Sequence, residues 1–401
     1  MLSKQVNERL TQVSAGTPMG ELLRRYWHPV ATVPELDAEP VLAVTILGEN
    51  LALFRSDSGV LGLVAQRCPH RGASLAYGIP EEDGLRCAYH GWKFSRLGQC
   101  LEQPAEPADS TFKDRIQVPA YPVQEMGGLI WAYLGPEPAP LLPRYDLFVR
   151  DDVEREIGIT RLPCNWVQIM ENSLDPVHLE YLHSVYMNYV FKRQGKPEPT
   201  TTKHHERIAF DVFEYGITKR RLWVGDSEDS DEWQVGHPIL FPNILSVGEP
   251  RFPQFQIRVP MDDTHTYHVW YRCKSTADGS ASGQRASEIP VLDYAYKEAN
   301  GKLVVETVSG QDMMVWVTQG PVSDRTTERL GTTDQGIILY RNLLLEQITR
   351  VERGEDPLAV IRDAAKNTPM VQIHREAQPF RVSAGNNDVF AARHERGTAP
   401  V

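Results

Sequence analysis

The sequence predicts an α+β protein in two parts: an all-β domain over residues 28–138, then a larger domain over 139–401 in which an antiparallel sheet is flanked by helices. An extension over residues 1–27 is expected to pack on the larger domain. Three observations point there. Residues 41–64 alternate apolar and polar positions between turn signals at Gly48-Glu49-Asn50 and Ser56-Asp57-Ser58-Gly59, as half-buried strands do. A Pro-rich piece, Gly135-Pro136-Glu137-Pro138-Ala139-Pro140 through Pro143, reads as a linker. Beyond it, aromatic-rich alternating runs precede Ile337–Arg353, where apolar residues at 338, 339, 343, 344, 345, 348 and 351 mark an amphipathic helix.

In chain order, 41–64 form a predicted β-meander, and Ile116–Val123 and Gly128–Leu134 further strands of a β-sandwich. Residues 165–187 include a helical stretch. Residues 206–224 and 234–273 supply strands such as Phe255-Gln256-Ile257-Arg258-Val259 and Tyr267-His268-Val269-Trp270-Tyr271. The Ser-, Ala- and Gly-rich segment 276–287 is expected to be an exposed loop.

A net charge of −11 argues against a nucleic-acid partner, which would need a basic face. The polar N-terminus and the lack of any run of 18 apolar residues argue against a membrane span. Five cysteines show no disulfide framework and fit a reducing cytoplasm.

Chemistry concentrates in Cys68-Pro69-His70-Arg71-Gly72 and Cys87-Ala88-Tyr89-His90-Gly91-Trp92, with 16 residues between His70 and Cys87. Two Cys and two His can hold structural zinc, or a Rieske [2Fe–2S] cluster in which two His replace two Cys on one iron. Zinc fingers usually pair like with like. Here each loop gives one thiolate and one imidazole, which places two of each on opposite irons. Cys68, His70, Cys87 and His90 are therefore read as cluster ligands, and Trp92 and Phe94 as packing over the cluster. No GxGxxG and no P-loop occur, so the sequence shows no site for a nicotinamide or flavin.

A second constellation is Asn172-x-x-Asp175-x-x-His178-x₄-His183. On a regular helix two His five residues apart share no face, so joint ligation requires a helix that ends or bulges between them. Two His and one carboxylate form the facial set that holds Fe(II) in non-haem oxygenases. Asp312, in Ser309-Gly310-Gln311-Asp312-Met313-Met314, is the candidate third ligand, with a helix N-cap as its alternative; Glu306 and Asp324 are weaker candidates. Tandem His204-His205 reads as exposed strand residues. Tyr186, Met187, Trp223, Phe255 and Trp316 are candidate pocket residues. Arg207 and Arg258 could meet a substrate carboxylate, though a surface arginine is the safer reading of either.

Together these motifs resemble those of Rieske non-haem iron aromatic-ring-hydroxylating oxygenases, α (oxygenase) subunit. The likeness runs from Gly16-Thr17-Pro18-Met19-Gly20-Glu21 through Tyr26-Trp27 to the helix near residue 350. It is to the phthalate dioxygenase type, a group that includes aromatic O-demethylases acting on lignin-derived biaryls such as 5,5′-dehydrodivanillate. The resemblance implies a Rieske domain joined to a helix-grip-like catalytic domain, with His178, His183 and Asp312 on the mononuclear Fe(II). It implies that the Asp175 carboxylate bridges subunits, bonding His178 within its own chain and His90 of the next; a helix N-cap is the alternative, one carboxylate being able to do both, and Asn172 either lines the same channel or is structural. It further implies O₂ and a small, carboxylated aromatic substrate, a separate NAD(P)H-dependent ferredoxin reductase, and a homotrimer or dimer of trimers. A stand-alone Rieske electron-transfer protein is the alternative.

Overall fold

The structure, a computed structural model, describes residues 1–376 and the short strand Arg393–Glu395. The first ten strands are β1 (Trp27–Thr32), β2 (Val41–Ile46), β3 (Glu49–Arg55), β4 (Leu61–Ala65), β5 (Ile79–Glu81), β6 (Gly84–Arg86), β7 (Lys93–Ser95), β8 (Cys100–Glu102), β9 (Val123–Met126) and β10 (Leu129–Tyr133). They form three small antiparallel sheets, ordered β1-β10-β9, β2-β3-β4 and β5-β6-β7-β8. The meander over 41–64 is β2-β3-β4. Ile116–Val123 is not a strand: only the isolated bridges Gln99–Gln117 and Val64–Ala120 form there, and β9 begins at Val123. Pro119 and Pro122 lack the N–H a ladder needs.

The larger part holds β11 (Val153–Leu162), β12 (His205–Phe213), β13 (Gly216–Trp223), β14 (His237–Leu240), β15 (Ile244–Val247), β16 (Gln254–Pro260), β17 (Thr266–Ser275), β18 (Val291–Tyr294) and β19 (Arg393–Glu395). Their order is β12-β13-β14-β15-β16-β17-β11-β18-β19, antiparallel throughout except for the β11–β18 pair. On β16 the two faces differ in kind. Phe255, Ile257 and Val259 are buried in the main core, Phe255 against Phe148 at 5.1 Å. Gln254, Gln256 and Arg258 project to the opposite face, under the helices. A buried sheet face with polar residues at every second position is costly unless something uses it.

Helices Trp166–Ser173, Val308–Thr318 and Gln335–Glu352 cover that sheet. The N-terminal segment bonds to this region: Leu2 N–H donates to Arg325 O (3.0 Å), and Asn165 Nδ2 to Thr11 O (3.0 Å). The Pro-rich piece is strapped down in its second half, Trp27 Nε1 donating to Pro140 O (2.9 Å) and Leu141 N to Ile361 O (2.9 Å). One buried cluster consequently runs from Leu10 and Leu22 through Trp131 and Tyr133 to Ile257 and Ile348. A smaller one, including Phe54, Val64, Leu85 and Phe94, underlies the Cys-and-His loops. Among the described residues, no helix is long and apolar enough to cross a membrane.

Candidate metal centres

The two Cys-and-His loops are one turn used twice. Cys68 N–H donates to Ala73 O (2.8 Å) and Gly72 N–H to Cys68 O (2.8 Å); Cys87 N–H donates to Trp92 O (2.8 Å) and Gly91 N–H to Cys87 O (3.0 Å). Gly72 and Gly91 share φ of 76°, where any Cβ is disfavoured. Both cysteines are buried and their thiols lie within hydrogen-bond reach of each other. Burial pushes the Cys68 thiol up to about 11, so a bound metal must displace that proton. The His70 and His90 rings lie 4.4 Å apart on the outer side, and Trp92 stacks on His70 at 4.6 Å and 7°. Phe94 is buried beneath the loops instead of packing over them. Paired thiols inside and paired imidazoles outside fit the asymmetric ligand set of a Rieske cluster. Arg86 braces the second loop, donating to Gly91 O (2.7 Å) while paired with Glu81 (2.5 Å) and Glu102 (2.7 Å).

In the catalytic half, His178 opens one α-helical turn and His183 sits in a π-helical turn, Tyr181–Tyr186. That is the bulge their spacing demands. His178, His183 and Asp312 offer donor atoms within 4.8 Å of one another. His183 Nε2 lies 3.0 Å and His178 Nε2 3.8 Å from Asp312 Oδ1, close to the roughly 3 Å that separates adjacent donors on one octahedral face of a first-row metal. Both rings turn Nε2 inward because Nδ1 is held from behind. His183 Nδ1 donates to Gln311 Oε1 (3.0 Å), whose own Nε2 donates to Val305 O (2.9 Å). His178 Nδ1 donates to the backbone carbonyl of Asp175. Such partners fix tautomer and ring orientation. Burial, then the neighbouring His183, drives His178 down to about 3, leaving a neutral imidazole. Burial works against ionisation of Asp312, but the His183 contact outweighs it and keeps the carboxylate ionised. Asp312 does not cap its helix; Thr307 does, accepting from Gly310 N–H (3.0 Å).

Asp175 departs from expectation within its own chain. Its backbone oxygen, not its carboxylate, holds His178. The carboxylate Oδ1 accepts from Val177 N–H (2.9 Å) and His178 N–H (3.3 Å), and Oδ2 stays 3.9 Å from His178 Nδ1. An Asp three residues before the first helical His is well placed for its own turn's amides, which wins locally.

A Rieske [2Fe-2S] domain profile matches residues 26–122, and a profile described as LigXa C-terminal domain like matches 295–381. The chain is 40% identical over 400 residues to the 5,5'-dehydrodivanillate O-demethylase oxygenase subunit of a Sphingobium strain, covering 98% of this chain and 92% of that one. It is 31% identical to the phthalate 4,5-dioxygenase oxygenase subunit of Pseudomonas putida, covering 89% of each. The chain belongs to the Rieske non-haem iron oxygenases. The solved structure of NdmA from Pseudomonas putida, 21% identical, shares the fold with a TM-score of 0.63 over 90% of this chain and 100% of that one. As an oxygenase component, the protein uses a Rieske [2Fe–2S] cluster and a mononuclear iron. Oxygenase components of this family work with a ferredoxin or reductase partner.

Two cavities meet at the oxygenase's iron-ligand set. The inner one is walled by His178, His183 and Asp312, by Lys219, Arg221 and Arg258, and by Gln254, Gln256 and Trp270. Lys219 is buried and donates to Ser173 O (2.8 Å); burial, then Arg221, lowers it to about 7. Arg258 is buried, donates to Gln256 O and Oε1 (2.9 Å each), and is lowered by burial to about 9. Among the described residues, no carboxylate lies within ion-pair distance of Lys219 or Arg258. The outer cleft is lined by Asn172, Asp175, His178, Tyr181 and Tyr186.

Of the aromatic pocket candidates, none lines the inner cavity. Phe255 faces the core, Trp223 stacks on His205 (3.9 Å), Trp316 on His268 (5.4 Å), Met187 is buried elsewhere and Tyr186 lies in the outer cleft. Arg258 is no surface residue, whereas Arg207 is exposed beside Glu228. Of the residues missed, Lys219, Arg221, Gln254, Gln256 and Trp270, the two glutamines carried a signal: polar side chains alternate with buried apolar ones along β16. Tandem His204-His205 is also corrected. Only His204 is exposed; the His205 side chain is 4% exposed, bound to buried Glu180.

Proposed function

We propose that this oxygenase O-demethylates a carboxylated aromatic compound, with electrons from a separate NAD(P)H-dependent reductase, as a cytoplasmic homotrimer or dimer of trimers. The observation that carries the substrate class is the inner cavity, in which the buried Lys219 amine and Arg258 guanidinium lie beside the iron-ligand set with, among the described residues, no carboxylate within ion-pair distance. A substrate carboxylate supplies the missing charge, and such charge-assisted bonds are the strong ones. Trp270 offers a face for the ring. Methyl-group attack is favoured over ring dioxygenation by near full-length likeness to an O-demethylase subunit.

In this reading Cys68, His70, Cys87 and His90 hold the cluster, and His178, His183 and Asp312 hold Fe(II). When bound, these groups supply one-electron relay and an open coordination face for O₂. Gln311 and the Asp175 carbonyl fix the tautomer of both imidazoles and aim their Nε2 atoms. Asp175 and Asn172 line the outer cleft behind His178, where His90 of a neighbouring subunit would approach. Exposed apolar side chains on both sides support that docking: Tyr77, Tyr89 and Phe112 in the Rieske domain, Tyr181, Val185 and Tyr189 by the cleft. Five buried, unbridged cysteines favour a reducing compartment.

The test is turnover of purified protein with a reductase and NADH against a panel of methoxylated aromatic acids and their methyl esters. Formaldehyde equimolar with the phenolic product, from acids and not esters, is expected. Product formed only from neutral arenes, or dihydrodiols without formaldehyde, would overturn the proposal.

A further inference from the structure

The turn that carries His183 is braced along one face by a segment with no role in the chemistry described so far. After Met187–Arg193 the chain reverses, and residues 200–205 return along the helical element in the opposite direction. Three contacts tie them together. Asn188 Nδ2 donates to Thr200 O (2.9 Å), and Thr200 N–H and Oγ1 donate to Asn188 Oδ1 (3.2 and 2.9 Å). Ser184 Oγ and Thr202 Oγ1 share a hydrogen bond (2.7 Å). Glu180 Oε1 accepts from His205 N–H (2.9 Å) and Nδ1 (2.6 Å), and its Oε2 from His204 Nδ1 (2.6 Å).

The spacing is commensurate. Glu180, Ser184 and Asn188 recur every four residues, a helical rise of about 6 Å; their partners at 200, 202 and 204/205 recur about every two extended residues, about 6.7 Å. An extended chain can therefore follow this helical face bond for bond. Glu180 and Ser184 are buried, as is the His205 side chain, so the bonds are shielded from water and costly to leave unmade. The brace lies across the π-helical turn. Such turns are rare and occur frequently at functional sites. Relaxing to a regular helix would carry His183 about 140° away from the face of His178.

We propose that the Thr200–His205 segment is a splint: bonded to Glu180, Ser184 and Asn188, it holds the π turn in register and so positions His183 beside His178 for the metal. Glu180, Ser184, Thr202 and His205 are then positioning residues, none of which touches iron or substrate. The inference rests on the iron-site reading and adds the device that assembles it.

The experiment is Fe(II) binding by reconstituted full-length protein, read by chelator competition, with the Rieske visible spectrum as the internal control for folding and the EPR of the ferrous–nitric oxide adduct as the geometric readout. Glu180→Ala and the milder Thr202→Val should each weaken mononuclear iron binding, Glu180→Ala by about 10–100-fold. Both should alter the EPR rhombicity while the Rieske spectrum stays unchanged. Glu180→Gln and Thr202→Ser should restore most of both. Wild-type affinity and an unchanged EPR signal in Glu180→Ala and Thr202→Val, even with lower thermal stability, would overturn the splint. Wild-type protein holding only the two cluster irons would sink the iron-site reading, and the splint with it.

Discussion

Gln311 precedes Asp312 and reaches back to His183, so one residue fixes the ring that its neighbour meets from the other side. Replacing it by Leu removes the Nδ1 acceptor without touching a ligand. Iron affinity, measured by competition with a chelator, should fall about 10–100-fold while the Rieske spectrum persists. In the cavity, Arg258→Gln should raise KM for an aromatic acid by about 10–100-fold, the loss of one buried charged hydrogen bond. The corresponding methyl ester should show no such penalty; equal losses for acid and ester would remove the carboxylate from the argument. At this scale the sequence was most legible where geometry is local. Four cluster ligands sit in two short loops, and His178 and His183 share one element. Gln311 was invisible as an orienting group because its partner lies 128 residues away. Aromatic residues misled because large apolar side chains serve the core first, and the cavity wall mixes cationic and amide groups with aliphatic ones such as Leu179, Leu245 and Val247.

Whole elements are locked by buried polar pairs. Glu171, on the Trp166–Ser173 helix, accepts from Arg325 (2.8 Å) and from Arg341 (2.6 Å) on the Gln335–Glu352 helix; Arg325 also reaches Asn7 (3.0 Å) in the N-terminal helix. Burial alone would push Glu171 up, but the two guanidinium groups outweigh it and hold it low. Glu171→Gln leaves Arg325 buried without its carboxylate, Arg341 keeping Glu328, and should cost about 3–5 kcal/mol in urea unfolding at pH 7. On β1, His28 donates from Nε2 to Leu23 O (2.9 Å), and burial lowers it to about 4. The unfolded chain takes up that proton near pH 6.5 and the folded chain only near 4. Its contribution is therefore complete above pH 6.5 and drains away as the pH falls through that window, by about 3 kcal/mol in all. His28→Gln should flatten the stability-versus-pH curve between those limits; a slope parallel to wild type would refute it. The π turn was foreshadowed by a five-residue His spacing that no regular helix accommodates. The false strand over Ile116–Val123 arose because apolar alternation was weighed above Pro119 and Pro122.

At the scale of the molecule, the cluster loops rest on their own small core, while extension, strap and catalytic sheet share another. The Rieske loops thus have an interior separate from the iron site's. Co-assembling Cys87→Ser chains, which lack the cluster, with His178→Ala chains, which lack the iron, should restore part of the turnover absent from either alone. Mixed oligomers that stay inactive would confine each electron path to a single chain. Domain order and sheet class were readable from composition breaks and periodicity. The welding of extension, strap and both domains into one core was not, because it depends on long-range contacts such as Tyr26 Oη to Leu358 O (2.7 Å).

Glu376 lies at the end of the continuous described chain, yet its carboxylate stands 3.6 Å from Arg221 and 3.0 Å from His237 in the cavity wall. Burial pushes this carboxyl up to about 7 against the pull of Arg221, so its charge beside the cavity wall is complete only on the alkaline side of neutrality. Replacing it by Gln should therefore keep the protein's colour and iron while strengthening inhibition by chloride or phosphate, and most of all above pH 7.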